Sequence, residues 1–180
     1  GAALSKVASV ASFFISRVDT EIDQRLDAIG SPEALALRGQ GAVAQGKLAY
    51  QRFQRAFSGP RWEALRAQGA VVQRPLWAST STKNPAYPDT LYVDELIGPD
   101  TVNTLPDATL DAFADHGNLA RRVDADVDAA EAAWKGLTEV GVDLDDVAAK
   151  LEREGVSSFQ KSFDELLAAL GTKAAELRAT

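Results

Sequence analysis

Several kinds of residue are absent or scarce in this chain, and each absence excludes a class of function. There is no cysteine, which excludes disulfides, thiolate nucleophiles and cysteine-based zinc sites. There is no methionine either, even at position 1, so we expect the sequence to be processed, cut or incompletely represented. With 26 acidic and 19 basic residues the formal net charge is −7, which disfavours broad binding to nucleic acids or anionic membranes. No apolar run has the length of a membrane span and no signal-peptide pattern opens the chain, so we expect a cytoplasmic location.

The residues that are present suit an ordinary globular domain. The chain has 180 residues, of which 46% are hydrophobic and 25% charged, enough to bury a core. Patterns typical of strands cover Lys6 to Ile15, Val71 to Ser79 and Thr101 to Thr104, with helical patterns between them. This alternation predicts parallel strands joined by helical crossovers, hence an α/β fold with function at the carboxyl ends of the strands. From Val123 to Thr180 only helical periodicity remains.

Three parallel strands make a poor independent sheet, because the edges would be unpaired and one face would lack cover. The alternative is that they are the last strands of a (β/α)8 barrel, in which the loop after strand seven often holds a phosphate.

The polar segment after the second strand is the main candidate for a binding site. The apolar run Leu76 to Ala78 passes into five small polar or cationic residues, Ser79 to Lys83, which the turn signal Asn84-Pro85 closes. Hydroxyls, loop amides and a lysine can together bind a phosphate. The alternative is an ordinary Ser/Thr-rich loop, since the Walker pattern of phosphate-binding loops is absent.

Two other features favour structural roles over catalytic ones. His116, the single histidine, stands next to Gly117 at the end of a predicted helix that Asp107 would cap, and it suits a capping or surface position better than a catalytic one. The acidic residues Asp124, Asp126 and Asp128 lack the glycine and terminal glutamate of a calcium loop and favour a solvated helix start. We therefore predict no metal site.

Two motifs resemble the transaldolase family, particularly its longer actinobacterial and cyanobacterial type. They are WASTSTKNPAYPDTLYVDELIGPDTVNTLPDATLDAFADHG and VASFFISRVDTEID, joined by LRGQGAVAQGKLAY, and the likeness covers essentially all 180 residues. The resemblance implies a TIM (β/α)8 barrel of which this chain is the last part. Residues 1–122 would supply strands six to eight with their crossover helices, and residues 123–180 would supply the C-terminal helices.

The resemblance also assigns five substrate-binding residues. Ser12, Phe14 and Arg17 match the family's Ser-x-Phe-x-x-Arg pattern, in which the serine faces sugar hydroxyls, the aromatic ring shapes the pocket and the arginine binds phosphate. Ser79 and Lys83 match the serine and the cation that complete the phosphate site after strand seven. The short bacterial type has arginine two positions after this serine, whereas here the cation comes four positions after it. We expect Arg17, Ser79 and Lys83 to share one pocket.

Structural alternatives exist for two of these residues. Arg17 could instead form a surface ion pair with Asp19 or Glu21, and Phe14 could belong to the core.

The activity implied by the resemblance is that of a transaldolase of the pentose phosphate pathway. Such an enzyme transfers a dihydroxyacetone unit from sedoheptulose 7-phosphate or fructose 6-phosphate to glyceraldehyde 3-phosphate or erythrose 4-phosphate through a lysine Schiff base, without metal or cofactor. The family's Schiff-base lysine would precede Gly1, so no catalytic residue is assigned in this chain. The implied partners are sugar phosphates and the missing N-terminal half of the barrel.

None of the chain's own lysines suits the role of nucleophile. Lys6 is predicted at the start of a strand, Lys47 on an exposed helix face, and Lys83 on a flexible loop, whereas an imine-forming lysine needs a desolvated pocket. Two alternatives stay open, namely a noncatalytic half-barrel that binds sugar phosphates and the transaldolase segment of a fusion with glucose-6-phosphate isomerase.

Overall fold

The computed structural model describes residues 3–179, which form two compact units that divide after Val142. The first unit contains three strands, β1 (Val10–Phe14), β2 (Arg74–Ala78) and β3 (Val102–Asn103). They form one sheet in the order β1-β2-β3, and both neighbouring pairs are parallel. The predicted parallel sheet with helical crossovers is thereby confirmed for these strands.

Helices fill the segments between and after the strands. In the first unit they are α1 (Ser16–Ile29), α2 (Pro32–Leu35), α3 (Gly41–Ala56), α4 (Gly59–Arg66), α5 (Leu91–Asp94), α6 (Asp107–His116) and α7 (Val127–Glu139). The second unit contains α8 (Leu144–Ala179). Among residues 3–179, no helix combines the length and apolar character that crossing a bilayer requires.

The strands are shorter than predicted, because a strand extends only as far as its partner pairs with it. The predicted first strand began at Lys6, but Leu4–Lys6 is a 3-10 turn and the register starts where Val10 lies opposite Arg74. At the other end of β2, Ser79 has a φ of 54° and leaves the strand conformation. Sequence patterns describe the propensity of one segment and not the extent of its partner.

The two faces of the sheet differ in their cover. On the helix side the rings of Phe13 and Trp77 lie 5.8 Å apart between centroids, and Trp77 is buried with its Nε1 donating to the carbonyl of Leu96 at 3.0 Å. Side chains alternate along a strand, so Val10, Ser12 and Phe14 point to the opposite face. There Val10 is 40% exposed and Phe14 37%. Within the part of the chain that the structure describes, this second face has little cover.

Two predicted details near α6 come out differently. Asp107 is the first residue of the helix, preceded by Pro106 in an extended conformation, so the prediction that Asp107 caps it was wrong. Gly117 ends the helix as predicted. His116 is exposed, with Nε2 2.8 Å from a carboxylate oxygen of Asp89 and Nδ1 3.1 Å from one of Asp115, a surface ion-pair position.

The second unit is one helix of 36 residues rather than several. Helical spacing predicts a packing face of Phe159, Phe163, Leu166 and Leu170, and each of these side chains is more than half exposed. Gly155 and Gly171 do not interrupt the helix.

Candidate functional site

The carboxyl ends of β1 and β2 bring the first turn of α1 against the start of the polar loop. The Ile15 amide donates to the carbonyl of Ala78 at 2.9 Å, and the Ser16 amide to the carbonyl of Ser79 at 3.0 Å. Backbone hydrogen bonds therefore join the two segments just past the ends of both strands. It fixes Ser79 beside the residue that precedes Arg17.

Arg17 lies in the first turn of α1, where its side chain is exposed. Its guanidinium carbon stands 4.7 Å from the centroid of the Phe14 ring, a cation–π contact that restrains the long side chain. The N-cap residue of α1, Ile15, makes no side-chain hydrogen bond to the first turn. The positive end of the helix dipole and an arginine thus coincide at this strand end, an arrangement that favours an anion.

Ser12 precedes Phe14 by two residues and lies on the same, largely uncovered face of the sheet. Its side chain is exposed. Ser12, Phe14 and Arg17 therefore follow one another along the end of β1 and the beginning of α1.

The loop from Ser79 to Thr90 is held by its own side chains. The Lys83 ammonium donates to Ser81 Oγ at 2.6 Å, and Thr82 Oγ1 donates to the carbonyl of Pro88 at 2.9 Å. Lys83 is exposed, and its contact is within its own loop. The structure thus brings Phe14 and Arg17 into contact and Ser79 next to them, while the convergence of Lys83 with Arg17 stays a prediction.

Asn103 is a polar residue at the end of β3 that sequence reasoning missed. Its Oδ1 accepts a hydrogen bond from the fully buried Thr80 hydroxyl at 2.8 Å. This bond holds the start of the polar loop against the third strand. The available signal was a polar residue at the carboxyl end of a short strand.

Two buried carboxylates on α1 were also missed. Asp19 accepts hydrogen bonds from the Ala42 amide at 2.7 Å and the Tyr92 hydroxyl at 2.8 Å, and burial raises its pKa to about 6. Asp23 accepts from the Tyr87 hydroxyl at 2.6 Å. Burial and the neighbouring Asp23 raise the pKa of Tyr87 to about 12.

Lys47 does not lie on an exposed helix face, so that prediction was wrong. It is 4% exposed, with Nζ 2.9 Å from Glu95 Oε2 and 3.2 Å from the carbonyl of Ala125. Burial acts to raise the pKa of Glu95, but the hydrogen bond and charge of Lys47, with the charge of Arg122, hold it below its usual value. Lys47 is part of an internal ion pair that joins α3 to α5.

Comparison with known proteins shows which family this chain is similar to. The family model described as Transaldolase/Fructose-6-phosphate aldolase matches residues 1–170. A Frankia alni protein named transaldolase is 55% identical over 178 residues, which is 98% of this chain and 47% of the relative. A Mycobacterium leprae transaldolase is 57% identical over 169 residues, 93% of this chain and 45% of the relative. The chain spans about half the length of the curated relatives it matches.

Proposed function

Because this chain belongs to the Transaldolase/Fructose-6-phosphate aldolase family, we propose that it forms the phosphate-binding part of a transaldolase. In this proposal the residues are strands six to eight of a (β/α)8 barrel with the C-terminal helices. The complete enzyme would transfer a dihydroxyacetone unit from sedoheptulose 7-phosphate or fructose 6-phosphate to glyceraldehyde 3-phosphate or erythrose 4-phosphate in the cytoplasmic pentose phosphate pathway.

The observation that carries the proposal is the position of Arg17. Its guanidinium is restrained over Phe14, in a first helical turn that has no side-chain bond from its N-cap residue and whose Ser16 amide donates to the carbonyl of Ser79. A guanidinium can bind two phosphate oxygens at once, and the helix dipole adds to the attraction. A sugar phosphate would place its phosphate here, with Lys83 contributing a second, mobile positive charge.

The remaining two residues suit the sugar itself. Ser12 and Phe14 lie on the sheet face opposite the helices, where a hydroxyl can exchange hydrogen bonds with the sugar and the ring can bound the pocket. Binding the phosphate at one end orients the carbonyl carbon of the ketose toward a nucleophile at a fixed distance.

The nucleophile in this proposal is a lysine outside these residues. Its amine would form an imine with the ketose, and cleavage of the adjacent carbon–carbon bond would release the aldose phosphate and keep the dihydroxyacetone unit bound. Imine formation needs an unpaired, desolvated amine. Lys47 is ion-paired and Lys83 is exposed, so neither meets this requirement.

Borohydride trapping tests the proposal, because it reduces an imine to a stable amine. The chain incubated with fructose 6-phosphate and borohydride should gain no mass. A chimera joining this chain to the part of the Frankia alni relative that it does not match should gain one adduct, on a lysine of the grafted part. An adduct on Lys47 or Lys83, or a folded chimera with neither adduct nor turnover, would contradict the proposal.

A further inference from the structure

Two tyrosines that follow β2 are anchored to α1. The Tyr87 hydroxyl donates to Asp23 at 2.6 Å and the Tyr92 hydroxyl to Asp19 at 2.8 Å. Both carboxylates are buried, with 8% of Asp23 and 2% of Asp19 exposed. Hydrogen bonds to an ionised acceptor in such surroundings are stronger than those between neutral groups. The segment after β2 is therefore fixed to α1 at two points.

The Tyr87 anchor leaves little freedom to the ring. Asp23 is held from its other oxygen by the Gly39 amide at 3.0 Å. Gly39 has a φ of 72°, and a Cβ at that position would lie 2.8 Å from the Cζ atom of Tyr87. Only glycine adopts this conformation easily and also lets the ring approach so closely.

The anchor extends to the part of the loop that carries Lys83. The Tyr87 amide donates to the carbonyl of Asn84 at 3.1 Å, which closes a turn after Lys83. Thr82 Oγ1 donates to the carbonyl of Pro88, the residue after Tyr87, at 2.9 Å. The segment around Lys83 is thus closed on both sides onto residues at or beside Tyr87.

We propose that Tyr87 is a positioning residue for the phosphate site, because its bond to Asp23 fixes the loop that bears Ser79 and Lys83 to the helix that bears Arg17. The inference rests on the proposed function. Arg17 precedes Asp23 by six residues, about 9 Å along the helix axis. One helix therefore carries the arginine and sets the position of the loop, so the site is organised before an anion arrives.

Phosphate binding tests this role. The probe is inorganic phosphate, titrated into the isotope-labelled chain while the backbone amide signals of the loop are followed by nuclear magnetic resonance. Tyr87→Phe keeps the ring and removes the hydroxyl, so the loop should leave its binding-competent position part of the time. We expect an apparent affinity weaker by roughly tenfold, in proportion to the lost competent fraction.

Tyr50→Phe is the matched control. Tyr50 is a buried tyrosine whose hydroxyl donates to the carbonyl of Pro99 at 3.1 Å, outside the polar loop. It should lower stability by a similar amount and leave phosphate affinity unchanged. Amide exchange of residues 81–87 should accelerate in Tyr87→Phe and in Gly39→Ala, which displaces the ring without removing its hydroxyl, and not in Tyr50→Phe.

The outcomes separate the two proposals. If the unaltered chain binds phosphate and Tyr87→Phe binds it as tightly as Tyr50→Phe does, the positioning role is overturned and the phosphate site stands. If the unaltered chain shows no phosphate-dependent shift in the loop, the phosphate site and its positioning residue are both overturned. Faster amide exchange in Tyr87→Phe would then show only that Tyr87 anchors the loop.

Discussion

Asp19 is an acid whose burial makes folding depend on pH. It is 2% exposed, and its two oxygens accept from the Ala42 amide and the Tyr92 hydroxyl. Burial raises its pKa from 3.8 to about 6, against the smaller lowering effect of these bonds. The folded chain therefore holds this proton more tightly than the unfolded chain does.

The sign of the resulting pH dependence follows from linkage. Between about pH 4 and pH 6 the folded state binds more protons at Asp19, so the contribution of this group to stability is present below that window and lost as the pH rises through it. The loss approaches roughly 3 kcal/mol in unfolding free energy. Asp19→Asn should remove this component, and urea unfolding at several pH values measures it.

Asp27→Asn is the control for this prediction, since Asp27 lies on the same helix with its side chain 51% exposed. As the pH rises from about 4 to 6, the unaltered chain should lose unfolding free energy relative to the Asp19→Asn variant. If the unfolding free energies of the unaltered chain and of Asp19→Asn changed with pH in parallel, Asp19 would have an ordinary pKa in the folded chain, which would contradict the prediction.

At the scale of elements, α3 shows how a helix can be buried through small residues. Its apolar side chains at helical spacing predict a packing stripe of Ala49, Phe53 and Phe57, but these side chains are only half-buried. The fully buried face of α3 consists of other residues: Gly41, Ala42, Ala44, Gly46, Lys47 and Tyr50. A Cβ at Gly46 would lie 2.8 Å from a methyl carbon of Leu96, so close approach of neighbouring segments, not side-chain hydrophobicity, selects this face. Hydrophobic periodicity alone could not identify it.

The ion pair between Lys47 and Glu95 should stabilise α3 against α5 asymmetrically. Glu95→Gln leaves the Lys47 ammonium buried beside a neutral amide, and we expect a loss of roughly 2–3 kcal/mol in unfolding free energy. Lys47→Met removes the buried charge, and Glu95, whose side chain is 26% exposed, keeps Arg122 at 3.1 Å. Lys47→Met should therefore lower the unfolding free energy by less than Glu95→Gln does. Urea unfolding compares them, and a larger loss in Lys47→Met would contradict this account.

At the scale of the whole molecule, the order of the strands could be predicted and the contacts that join distant segments could not. Alternating patterns and turn residues indicate β1, β2 and their helical crossovers, because these signals are local. The bond between Tyr87 and Asp23 joins residues 64 positions apart, and no local pattern marks either partner. The same holds for Thr80 and Asn103, which lie 23 positions apart.

The cover of the sheet is also a property of the whole molecule. Val10 and Phe14 are 40% and 37% exposed on the face opposite the helices, and the relatives that match this chain are about twice as long. In the proposed enzyme this face looks into the barrel, where Ser12 and Phe14 would meet the substrate. The exposed face and the proposed site are then the same surface.

Binding of the substrate phosphate by Arg17 is tested most directly by the kinetics of the chimera with the part of the Frankia alni relative that this chain does not match. Arg17→Gln should raise KM for fructose 6-phosphate by roughly tenfold or more, because a charged hydrogen bond to the phosphate is lost. The turnover of unphosphorylated fructose should not change. Arg38→Gln is the control, because Arg38 is a partly exposed arginine paired with Asp27 at 3.2 Å. Equal effects of Arg17→Gln on both sugars, or none on either, would contradict the account.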